Sequence, residues 1–168
     1  MVDKLARGWT PSNSDIVSGK PNRFGQGILK AVYWFGNYQA QSSADYQLLN
    51  LATSIGSCFG TQSEDKIITM LTEGLALLHG TTFEERVNLQ KEFKKLYSKR
   101  SKISHGDAAA GSITTHDIDR YEELARSAII FLLRHVKKFT SMQDFREHLD
   151  NVKLGRNLYE LDDKAELG

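Results

Sequence analysis

Arg100 and His105 have the types and spacing to act on a phosphodiester. They lie five positions apart in Leu96-Tyr97-Ser98-Lys99-Arg100-Ser101-Lys102-Ile103-Ser104-His105-Gly106. Arginine presents a planar fork of donors that stays charged at any physiological pH and fits phosphate oxygens. Histidine exchanges protons near neutrality. A charge clamp and a proton carrier together can cleave RNA without a metal, by directing the ribose 2′-hydroxyl onto its own phosphate. Lys95, Lys99 and Lys102 would hold the flanking phosphates. From Arg86 to His105 the charges are Arg86, Lys91, Lys94, Lys95, Lys99, Arg100 and Lys102 against Glu92, a local +6 in a chain of net charge +1. Such a density attracts a polyanion, and the attraction falls with salt. The plainer reading is a solvated helix flank ending in a histidine, a position the helix dipole favours when the ring is protonated.

The element carrying these residues reads as a long helix. Thr81 with Glu84, or Thr82 with Glu85, forms a capping box, and Gly106 is a terminator. Phe93, Leu96 and Tyr97 form its apolar stripe, and Arg100 falls three or four residues further along that stripe, with the lysines spread over the flanks. A guanidinium on the core side is unusual unless it is paired or lines a cleft. On an ideal helix residues five apart are ~140° around the axis and ~7.5 Å along it. Arg100 and His105 therefore meet on one phosphate only if the helix ends before His105 or if two chains contribute.

The remaining elements are also helical. Ile28, Val32 and Phe35 give a first helix over about 26–41. Asp45 caps a second, bearing Leu48, Leu49, Ala52, Ile55 and Phe59. Ser63 opens a third with Ile67, Ile68, Leu71, Leu75 and Leu78 buried, stopped by Gly80. Thr115 begins a fifth whose stripe runs Ile118, Tyr121, Leu124, Ala128, Leu132, Val136 and Phe139. Ser141 caps a sixth with Met142, Phe145 and Leu149. No segment alternates with period two, so the fold class is all-α, a compact bundle of five to six helices. The expected organisation is a flexible arm over 1–25, a helical domain over 26–150 and an acidic tail over 151–168.

Composition removes several classes of function. No apolar run approaches the ~20 residues that span a bilayer, and the N-terminus lacks a signal-peptide core. No membrane partner is expected, and the expected compartment is the cytoplasm. Cys58 is the only cysteine, which excludes an internal disulfide and a multi-cysteine zinc site. No His-Glu-x-x-His, phosphate loop or nucleophile elbow occurs, so neither a protein-held metal nor a cofactor is expected. His79 reads as structural at a helix end. His116 lies in a first turn, and His135 and His148 stand amid charged helix surface.

The run Arg-x-x-x-x-His-Gly preceded by Leu-Tyr resembles the signature of the HEPN superfamily, and most closely its Apea-like branch. The likeness covers roughly residues 26–150, with support from Ala31-Val32-Tyr33-Trp34-Phe35 and Leu48-Leu49-Asn50-Leu51-Ala52-Thr53. It implies a helical bundle that forms a symmetric homodimer, and a metal-independent endoribonuclease of a toxin or antiphage system. It also implies RNA as substrate, an antitoxin or sensor protein as partner, and Arg100, His105 and Ser101 as catalytic residues. Relatives carry a glutamate in the second helix where this chain reads Ser54-Ile55-Gly56, with Glu73 on the third helix the candidate substitute. Asp107 stands where the nucleotidyltransferase-partnered branch has a tyrosine. The alternative function is a non-catalytic module that binds RNA or protein and dimerises.

Overall fold

A computed structural model describes residues 23–60, 64–107 and 112–158. They form six α-helices: α1 (Arg23–Asn37), α2 (Ala44–Phe59), α3 (Glu64–His79), α4 (Phe83–His105), α5 (Thr115–Arg134) and α6 (Met142–Lys153). A single 3-10 turn, Tyr38–Ala40, follows α1, and there is no strand among the described residues. The all-α bundle is as expected. Residues 1–22, the Ser63 cap and the acidic residues from Tyr159 onward lie outside the described residues.

Helix α2 is the centre. It packs most closely on α1 and α5 and also touches α3, α4 and α6. Leu48, Leu51, Ile55, Cys58 and Phe59 are all fully buried along it, and burial pushes the Cys58 thiol well above its ordinary pKa. Ser54 is buried too, and its hydroxyl donates to the Ala31 carbonyl at 2.7 Å, tying α2 to α1. At one end Phe24, Phe59, Phe139 and Phe145 form an aromatic cluster, with Phe139 and Phe145 5.2 Å apart in an edge-on arrangement.

Helix starts follow the local chemistry. Both α4 and α5 open with reciprocal capping boxes, Thr82 with Glu85 and Thr114 with Asp117. The Ser141 hydroxyl accepts from the Asp144 amide at the start of α6. Ser43, not Asp45, is the N-cap of α2, and Asp45 sits in the first turn where the dipole favours an acid. Helix α5 stops at Arg134 and gives way to turns, so Val136 and Phe139 reach the core from outside the helix. Ile68 and Val32 face solvent, because Phe24, Ala31 and Leu77 take the buried positions on α1 and α3 instead. Among the described residues the bundle includes α1 from Arg23 and α6 to Lys153, and Leu158 is buried.

Candidate nucleic-acid interface

Helix α4 is the longest element and buries the least: of its 23 residues only Phe93 and Leu96 are fully enclosed. It packs mainly on α3, whereas side chains span the gap to α5. Three contacts do so. Phe93 meets Tyr121 with ring centroids 5.8 Å apart. Arg120 grips the Glu92 carboxylate with two bonds of 2.7 and 2.9 Å. Lys99 reaches both oxygens of Asp117 at 2.7 and 2.6 Å.

Arg100 sits on the core-side stripe as its spacing requires. The guanidinium is half-buried, with its carbon 5.6 Å from the centre of the Tyr97 ring, a cation–π arrangement. Beneath it lies Tyr121, fully buried with a hydroxyl that has no hydrogen-bond partner. Burial pushes the Tyr121 phenol up, and the Arg100 charge pulls it the other way, so the two groups are within electrostatic reach. The nearby carboxylate is Asp117, and it is already engaged: besides Lys99 it accepts from the Thr114 amide at 2.9 Å and hydroxyl at 2.7 Å. Burial would raise the Asp117 carboxyl, but Lys99 and Thr114 together hold it below its ordinary value. Arg100 thus has no carboxylate partner among the described residues, unlike Arg120 and Arg126.

Helix α4 stays helical through His105 and ends immediately after it. Gly106 takes a left-handed φ of 75°. Its amide bonds to the Ile103 carbonyl at 3.1 Å and that of Asp107 to the Lys102 carbonyl at 2.8 Å, a Schellman cap. Of the two ways to unite Arg100 and His105, an early helix end is therefore absent. His105 is exposed in the last turn, and Ser101 is half-buried beside Arg100. Within one chain the arginine faces the core side and the histidine projects about 140° away from it.

The lysines are more ordered than flank positions. Lys91, Lys95, Lys99 and Lys102 follow an i, i+4, i+8, i+11 spacing that places them within about 80° on the outer side of α4. Lys91, Lys94, Lys95 and Lys102 are exposed, whereas Lys99 is turned to Asp117. Glu73 pairs with Lys153 of α6 at 2.5 Å and so belongs to a different face. Gly56 leaves open space: a Cβ there would meet nothing within 4 Å.

Two histidines differ from the sequence reading. His148 is buried against Phe139, and its Nε2 bonds the Leu158 carbonyl at 2.8 Å, because it shares the Phe145–Leu149–Val152 stripe. The His135 ring lies on Phe131, 4.4 Å between centroids. Asp117 was not foreseen as a neighbour of Arg100, although Thr114-x-x-Asp117 is a readable cap signature. No group of three or more His, Cys, Asp or Glu among the described residues could hold a metal, and no helix there is long and apolar enough to cross a membrane.

No family model, no curated protein and no solved structure matches the chain. The likeness to HEPN domains accordingly rests on the residues quoted for it.

Proposed function

We propose that the chain is a metal-independent endoribonuclease that works as a symmetric dimer. One observation carries the reading. Arg100 is a half-buried guanidinium held on an aromatic ring, with no carboxylate partner among the described residues, on a helix that also carries an exposed histidine in its last turn and a stripe of lysines. A cation held this way is ready for an external oxyanion. Because α4 is helical through His105, an Arg100 and a His105 can meet only when two copies contribute to one cleft. In that cleft His105 removes the proton from a ribose 2′-hydroxyl, whose oxygen attacks the adjacent phosphorus. The 5′-oxygen leaves and takes a proton from the second His105. Arg100 stabilises the added charge on the non-bridging oxygens, a role worth about 10²–10³ in rate. The products are a 2′,3′-cyclic phosphate and a 5′-hydroxyl. Ser101 lines the same site, and Lys95, Lys102 and Lys91 hold the strand. The biological setting, a toxin or antiphage role with an antitoxin or sensor partner, follows from the HEPN likeness.

The test is cleavage of single-stranded RNA in EDTA. Arg100→Ala and His105→Ala should each lower the rate by at least about 10² while leaving the helical signal and melting temperature unchanged. Cleavage that survives both substitutions, or that needs magnesium, overturns the mechanism. The open site at Gly56 favours a second reading, a non-catalytic RNA-binding module. Under it, RNA binding tolerates His105→Ala and weakens only when lysines are neutralised.

A further inference from the structure

Two buried polar side-chain atoms among the described residues have no hydrogen-bond partner, Tyr121 Oη and Arg146 Nη1. Arg146 is the lesser case. Its Nε donates to the Met142 carbonyl at 3.0 Å, and Glu73, Glu147 and Asp150 line the same cleft between α3 and α6. Tyr121 is different: its side chain is fully enclosed in the bundle and its hydroxyl makes no hydrogen bond. Tyr38, the other buried tyrosine, receives a bond from Gln39 Nε2 at 3.3 Å. A buried tyrosine ordinarily finds such a partner, because stripping water from a hydroxyl without replacing its bonds is costly. Packing does not ask for the hydroxyl. The Tyr121 ring meets Phe93 and shares the buried side of α5 with Ile118, Leu124 and Ala125, company that a phenylalanine would suit.

The surroundings define what the hydroxyl lacks. Apart from burial, the groups that act on the Tyr121 phenol are Arg100, Tyr97 and Asp117. Asp117 is the one charged acceptor of the three, and both its oxygens are taken, Oδ1 by Lys99 and Oδ2 by Lys99 and Thr114. Arg100 is only a donor, so a hydroxyl that accepted from it would still have its own proton to place. Arg100 for its part has a ring contact with Tyr97 and no carboxylate among the described residues. A guanidinium without an anion therefore stands close to a hydroxyl without an acceptor. One oxyanion answers both, and no apolar or cationic group does. Arg100 and Tyr97 are half-buried and give the hydroxyl its way to solvent.

We propose that Tyr121 is a phosphate-binding residue of the Arg100 site, its hydroxyl donating to one phosphate oxygen while the Arg100 fork holds another. The oxygens of a phosphate point in tetrahedral directions, so two donors from different helices can share it. The anion draws Arg100 outward from the Tyr97 ring, a contact with no hydrogen bond to break, and this uncovers the hydroxyl behind it. The inference rests on the reading of Arg100 as the group that holds the phosphate, and it extends that site from α4 to α5. The phosphate has two sources, a free phosphate and a strand phosphate of RNA.

The experiment uses the full chain with 13C-labelled tyrosine, the Tyr121 Cζ resonance being assigned by its loss in Tyr121→Phe. Titration with inorganic phosphate at constant ionic strength should move that resonance to saturation, while chloride and acetate leave it still. A 2′-O-methyl RNA oligonucleotide, which has no free 2′-hydroxyl and resists cleavage, is the second probe. Saturation by inorganic phosphate assigns a free phosphate, saturation by the oligonucleotide alone assigns a strand phosphate, and either supports the site. Tyr121→Phe should bind the saturating probe about tenfold more weakly, the worth of one hydrogen bond to a charged acceptor. Its melting temperature without ligand should equal or exceed that of the wild type, since the deleted hydroxyl had no partner in the fold. A Tyr121→Phe protein that binds like wild type or melts lower overturns the inference, as does a resonance that neither probe moves or that acetate moves equally. Arg100→Gln separates this inference from the reading beneath it. If only Arg100→Gln loses the probe, Arg100 holds phosphate and Tyr121 does not; if Arg100→Gln binds like wild type, both fall.

Discussion

Helices α2 and α4 were set different tasks by their sequences. Across its 16 residues α2 carries no lysine or arginine and buries seven side chains, from Leu48 to Phe59. Helix α4 is longer, carries all the concentrated positive charge, and buries two. Packing dictates nearly every inward position of α2, so its sequence is read out as stability. Packing dictates little of α4, whose register is instead set by the Thr82–Glu85 box at one end, the Gly106 cap at the other, and Arg120–Glu92 and Lys99–Asp117 across its side. Positions freed from the core are where charge can gather, and in this chain they are where it does gather.

The sharpest way to break that comparison is to cut side chains from each helix and ask which property moves. Phe59 is fully buried against Phe145 and Gly74, and Phe59→Ala should cost about 3–5 kcal/mol. Thermal denaturation would show this as a fall of roughly 6–20 °C at about 2–4 °C per kcal/mol. Replacing Lys91, Lys95 and Lys102 together by glutamine should leave the melting temperature within a degree or two. It should instead reduce the slope of log RNA affinity against log salt by about two, at ~0.7 for each phosphate no longer neutralised. A large stability loss from the lysine triple, or an unchanged salt slope, would mean that α4 is a structural helix like α2.

Asp117 tests the join between the two kinds of region. Its carboxylate closes the α5 cap and anchors α4 through Lys99 just before Arg100. Asp117→Asn should cost about 1–2 kcal/mol, from the lost charge-assisted bonds and a weakened cap. The wild-type carboxyl is held below its ordinary value, so the unfolded chain takes up a proton before the folded one does. The stabilisation is therefore complete above about pH 4 and is lost as pH falls through the folded value. His79, also shifted down, removes stability in the same direction from about pH 6.5 downward. Stability measured against pH should fall in two stages on acidification, and Asp117→Asn should flatten the lower one. A variant that loses the lower stage without losing stability at pH 7 would place Asp117 outside the join.

The sequence made some of this plain and hid the rest for physical reasons. Both ends of α4 were legible because caps are local: Thr82 and Gly106 act within four residues of themselves. The start of α5 was legible at Thr115, whereas its end at Arg134 was not, because the apolar stripe continues through Val136 and Phe139 beyond the helix. The stripe that places Arg100 inward was legible because it needs only helical phase. Ile68 and Val32 were misplaced because period 3.6 admits neighbouring faces, and the tertiary partner decides which face is buried. Burial of His148 could not be seen among Arg146, Glu147 and Asp150, since the group that satisfies it, the Leu158 carbonyl, is ten residues away. The Lys99–Asp117 pair was hidden in the same way, by a span of 18 residues.

The smallest expected effect lies within α2 and is the most discriminating for the site. Gly74 of α3 and Gly56 of α2 are both helical glycines with opposite surroundings. A Cβ at Gly74 would come within 2.4 Å of the Phe59 ring, whereas one at Gly56 meets nothing within 4 Å. Gly56→Ala should therefore stabilise by about 0.5–1 kcal/mol, the ordinary gain of replacing a helical glycine, while Gly74→Ala destabilises. Chemical denaturation of the two variants gives opposite signs if α2 is as closely specified as its burial indicates. Gly56→Glu uses the same open space to restore the carboxylate that the HEPN likeness places there. If that carboxylate serves the proposed nuclease by orienting Arg100 or His105, the variant raises RNA cleavage while binding stays unchanged. A Gly56→Glu protein that is stable, binds RNA and cleaves no faster separates the α2 position from the chemistry. The candidate site then rests on α4 and its Asp117 anchor alone.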